Sequence, residues 1–85
     1  MILPIVHLNG TSRDALVNLR IEACNALRAA LEALAEMAPH GRDYYLVPGR
    51  MEQALKQHEQ RVDAVAKVYQ ALTAEVEALV DEEGR

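Results

Sequence analysis

The sequence predicts an all-α fold, an antiparallel two-helix hairpin with an extended N-terminal arm. Three observations support it. Two long segments carry apolar residues at helical spacing, a Pro- and Gly-containing loop separates them, and the apolar stretch before them is broken by a proline. With 85 residues, one domain is the only reasonable count. The expected segments are an arm over 1–10, a first helix over 11–38, a loop over 39–49 and a second helix over 50–83.

The arm, Met1–Leu8, is rich in Ile, Leu and Val but carries Pro4. With a proline in the run and no partner strand elsewhere, a place inside a sheet is disfavoured. An arm this apolar needs a surface to cover, either its own hairpin or a neighbouring subunit. It has no basic stretch ahead of it and is too short for a secretory signal, so a cytoplasmic location is expected.

Asn9-Gly10-Thr11-Ser12 opens the first helix. Thr11 is the expected N-cap, with Asp14 three residues on in a capping-box arrangement. Leu16, Leu19, Ala23, Leu27, Ala30, Leu34 and Met37 recur at spacings of three and four, one face of a helix. That face is alanine-rich, which suits close approach of another helix. Pro39 and Gly41 then stop the pattern.

The second helix has the clearest rhythm. Met51, Leu55, His58, Val62, Val65, Tyr69, Leu72, Val76 and Leu79 alternate by four and three, the seam of a coiled coil or hairpin. His58 and Tyr69 in that seam read as packing residues. Glu52–Lys56 and Asp63–Lys67 are favourable pairs on the wet side. Gly84 is the expected stop, after the acidic run Asp81–Glu83, which faces the negative end of the helix dipole.

A small chain buries only about 60% of its unfolded surface and usually needs a staple. Disulfides cannot supply one, because Cys24 is the lone cysteine; it reads as a reduced packing residue. No CxxC or HExxH spacing points to a metal, and no cofactor is expected. Oligomerisation is the staple that remains. The net charge of −4 disfavours DNA as a partner, and no apolar run is long enough to span a membrane.

The loop, APHGRDYYLVPGR at Ala38–Arg50, is costlier than a connection needs to be. Arg42 offers a bidentate phosphate fork, Tyr44 and Tyr45 offer stacking faces, and Asp43 and His40 add polar contacts. At the far end, His7, Asn9, Thr11 and Ser12 surround a helix start whose free amides suit an anion. About 40 Å of helix separates the two clusters, so one subunit cannot combine them. Two subunits in an antiparallel or head-to-tail assembly can. The alternative is structural, with the cap serving only the helix and the tyrosines folding over Met37 and Met51.

The combination of HLNGTS, a helix, GRDYY and a heptad helix resembles small proteins encoded by tailed bacteriophages and prophages. Phage helical hairpins include oligomeric sponges that sequester cyclic nucleotide signals and so silence bacterial immunity. The resemblance implies, by class analogy, a non-enzymatic anti-defence protein of that kind. The alternative is a helical interaction module that docks on a host protein or builds a phage structure. Catalysis is the least expected class, since no nucleophile–base pair or Gly-rich phosphate loop is present.

Overall fold

A computed structural model describes residues 1–83 and is all-helical. Helix α1 spans Arg13–Glu36, a single 3₁₀ turn covers Gly41–Asp43, and helix α2 spans Arg50–Glu83. The two helices pack along each other as a hairpin. The expected stop at Gly84 lies outside the described residues.

The first helix begins later than expected. Ser12, not Thr11, is the N-cap: its backbone is extended and its hydroxyl accepts a hydrogen bond from the Ala15 amide at 3.2 Å. Such a cap typically stabilises a helix by about 1 kcal/mol. At the other end, the Met37 amide closes the helix onto the Leu34 carbonyl. Val47-Pro48-Gly49-Arg50 then turns the chain into α2. The Arg50 amide donates to the Val47 carbonyl at 3.1 Å, and Gly49 sits at φ 79°. This is type II turn geometry, which asks for proline second and glycine third.

Three cross-seam contacts fix the register. Arg20 Nε meets Glu75 Oε1 at 3.2 Å, Cys24 Sγ lies 3.9 Å from Thr73 Oγ1, and Arg28 Nη2 donates to the Tyr69 hydroxyl at 3.2 Å. The Thr73 hydroxyl already donates to the Tyr69 carbonyl at 2.9 Å, so the Cys24 thiol is the donor in its contact. The Tyr69 hydrogen bond also raises the Arg28 pKa above its ordinary value. Arg28 thus stands level with Val68 and Tyr69.

The α2 seam follows the expected rhythm, from half-buried Met51 to fully buried Leu79, with Leu55 exposed. The α1 seam keeps Leu16, Ala23, Leu27 and Leu34 of the expected face, all half-buried, and is turned from the rest of it. Cys24 and Leu31 face α2, whereas Leu19, Ala30 and Met37 are exposed. Two side-by-side helices leave their outer surfaces wet, so complete burial of Leu79 requires a third layer. The arm is the segment within reach to supply one, since Leu3, Pro4 and Val6 are half-buried and Val6 lies beside Ser12 and Arg13 at this end.

That core is thin. Only Cys24 and Leu79 among the described residues are buried. The chain measures 62 × 20 × 19 Å with a radius of gyration of 18.6 Å. A compact chain of this length would have a radius near 12 Å. Its accessible surface is 6556 Å², against about 5,000 Å² for a compact monomer of this mass.

Candidate functional site

The expected site residues fall into two groups at opposite ends of α1. That helix has 24 residues, so about 36 Å lies between them. No single copy brings them together.

The arm-end group forms around a tight turn. The Gly10 amide donates to the His7 carbonyl at 3.1 Å, and the His7 ring folds back over Gly10. A Cβ added at Gly10 would stand 2.6 Å from His7 Nε2. Glycine is therefore what lets the imidazole lie across the turn. An open recess of about 540 Å³ is lined here by Val6, His7, Leu8, Ser12, Arg13 and Asp14. Asn9 and Thr11 are exposed beside it. The sequence reading passed over Arg13 as a side chain. Its Nε is enclosed yet has no hydrogen-bond partner, and unsatisfied buried donors are uncommon in folded proteins. Its place as the first residue of a capped helix was the available signal.

The loop-end group is built on the 3₁₀ turn. His40 caps it, with Nδ1 accepting from the Arg42 amide at 3.2 Å, which places the proton of a neutral ring on Nε2. The Arg42 guanidinium and the Asp43 carboxylate are exposed, and neither is engaged in an ion pair among the described residues. The two tyrosines diverge. Tyr44 is half-buried and lines a recess of about 350 Å³ with Arg50, Gln53, Ala54 and Gln57 of α2, whereas Tyr45 is exposed. Tyr45 therefore presents the free stacking face. Arg50, Gln53 and Gln57 share this recess and were not singled out beforehand. Their spacing on the first turns of α2 is the signal that could have found them.

His58 lies elsewhere, in an interhelical cleft of about 560 Å³ with Leu31, Ala35, Val62 and Ala66. The two ends carry groups of different kinds: cations and backbone amides that suit an anion, and an exposed aromatic face that suits a ring. No group of three or more candidate metal ligands occurs among the described residues, and no helix there is long and apolar enough to cross a membrane.

No family model, curated protein or solved structure matches this chain.

Proposed function

We propose that this chain is a non-catalytic, self-associating hairpin that holds a phosphate-bearing nucleotide where the loop end of one copy meets the arm end of another. In keeping with the phage resemblance, the ligand is a cyclic nucleotide immune signal and the site of action is the cytoplasm of a bacterium. One observation carries the reading. The two ligand-binding groups are held apart by α1 within a copy, while the arm keeps Ile2, Ile5 and Leu8 at 93%, 84% and 99% exposure. Uncovered side chains of that size call for a surface on another molecule.

In this reading Arg42 clamps a phosphate, and Tyr45 stacks on a base. The Ser12 end of α1, with His7, Asn9, Thr11 and Arg13 beside it, takes a second phosphate or a ribose hydroxyl. Asp43 and Tyr44 shape the loop around the ligand. The test is a thermal-shift panel of cyclic di- and trinucleotides on the assembled protein. A ligand at about 100 times its Kd adds roughly 2.7 kcal/mol to stability. Arg42→Ala and Tyr45→Ala should each sharply reduce the shift and leave assembly unchanged; loss of base stacking alone costs about 1–3 kcal/mol of the roughly 2.7 kcal/mol.

The run Tyr45-Leu46-Val47, exposed along its length, favours a second reading: an acidic hairpin that docks its loop on a host protein. An assembled protein that shows no shift with any nucleotide selects this reading over the first.

A further inference from the structure

We infer that the face of the hairpin carrying Leu19, Ala30 and Met37 is the contact surface for a second copy, packed antiparallel about a twofold axis level with Arg28 and Val68. This rests on the reading that the chain self-associates, and it specifies the geometry.

The face is located by elimination. Cys24–Thr73 and Arg28–Tyr69 close one edge of the seam, and the cleft containing His58 runs along that same edge. At about 100° per residue, Leu19, Ala23, Ala26, Ala30, Ala33 and Met37 form a stripe roughly a quarter-turn from the seam, toward the opposite edge. Arg61, Ala64, Val68, Ala71 and Glu75 of α2 lie beside it on the same side. Leu19, Met37 and Val68 are exposed there, as are the alanines apart from Ala23.

A twofold contact needs a patch complementary to itself, and this patch is. The α1 stripe reads alike in both directions about Arg28. Leu19 meets Met37, Ala23 meets Ala33, and Ala26 meets Ala30. A large side chain closes each end, and four alanines between them let the two α1 axes approach to about 8 Å. On α2 the same operation sets Val68 against itself and Arg61 against Glu75, which stand seven residues to either side of it. Opposite charges therefore meet twice. Glu75 Oε1 already accepts from Arg20, which leaves Oε2 for Arg61 of the partner subunit. The two centres were located independently on two helices. The Arg28–Tyr69 hydrogen bond puts them at one height.

The area is adequate. The face is about 27 Å long and spans most of a hairpin 20 Å wide, or roughly 500 Å² on each copy before the arm is added. Two such faces reach the ~1,000 Å² expected of a specific interface.

The geometry also completes the nucleotide site. Arg13 lies fifteen residues from Arg28, so Arg13 of the partner subunit falls level with Gln53. That is the height of the recess formed by Tyr44, Arg50 and Gln57. The arm end of each copy thus comes alongside the loop end of the other, twice per dimer.

Spin labels test the pairing. In a Cys24→Ala background, Val68→Cys and, separately, Val80→Cys each receive a nitroxide, and dipolar distances are measured. The expected result is a pair closer than ~20 Å at residue 68 and about 36 Å apart at residue 80. Ala30→Glu should abolish both signals and give a monomer by light scattering with its helical circular dichroism intact, because Ala30 is exposed in the single hairpin. Arg61→Glu should weaken the dimer at least tenfold. An assembly with both pairs short, or with neither distance, overturns the antiparallel pairing while self-association stands. A parent protein that stays monomeric at micromolar concentration overturns both.

Discussion

Leu79→Ala should be the most damaging truncation in this hairpin. Leu79 is the one large side chain with no exposure among the described residues. Truncation of a buried leucine costs about 2–5 kcal/mol, the larger figures where the surroundings cannot relax. Here the covering layer is a half-buried arm, which can settle inward, so the expected loss is about 2–3 kcal/mol. A domain of this length has roughly 4–13 kcal/mol in all, so the change removes a sizeable fraction. At about 4–8 °C per kcal/mol for small domains, the Tm should fall by roughly 10–20 °C. Far-UV circular dichroism melts at several matched concentrations measure this and separate folding from association. Leu19→Ala is the control, since Leu19 is exposed on the hairpin and should lose less than about 1 kcal/mol in dilute protein. If Leu79→Ala melts within about 4 °C of the parent, the arm does not seal this end and the packing argument fails.

Gly49→Ala should destabilise by about 1 kcal/mol, because a side chain at positive φ is strained; a denaturant midpoint unchanged from the parent would show that the turn relaxes freely. His58→Leu should hold or raise the Tm, since it replaces a half-buried imidazole in a cleft lined by Leu31 and Val62. A clear drop in Tm would show that the imidazole holds a polar partner.

The hairpin was legible because α2 carries one unbroken rhythm, with charged residues on every other face. The α1 seam was read correctly at Leu16, Ala23, Leu27 and Leu34, which are half-buried, and wrongly at Leu19, Ala30 and Met37, which are exposed, for a definite reason. Leucines and alanines fall at spacings of three and four along two adjacent stripes, one through Leu27 and Leu31, the other through Ala26, Ala30 and Ala33. Periodicity alone cannot choose between them. The cross-chain contacts of Arg20, Cys24 and Arg28 do choose. The cap moved by one residue because Thr11 and Ser12 are chemically equivalent as acceptors, and only the backbone dihedrals separate them. The loop residues were recognisable by type, but their roles were not. That Tyr44 turns in toward α2 while Tyr45 stays free depends on the 3₁₀ turn at Gly41–Asp43, which no periodic pattern announces.

The thiol of Cys24 gives the hairpin an internal clock. It is the only sulfhydryl, it sits mid-seam, and it is shielded by the helix opposite. With only 9% of its surface accessible, it meets a bulky thiol reagent chiefly when α1 and α2 part. Where reclosing is fast, the labelling rate relative to an unhindered cysteine gives the free energy of that opening. A ligand or neighbour that bound only the closed hairpin would slow the same reaction in proportion to its occupancy. The natural chain therefore reports its own separation and capture without any introduced probe.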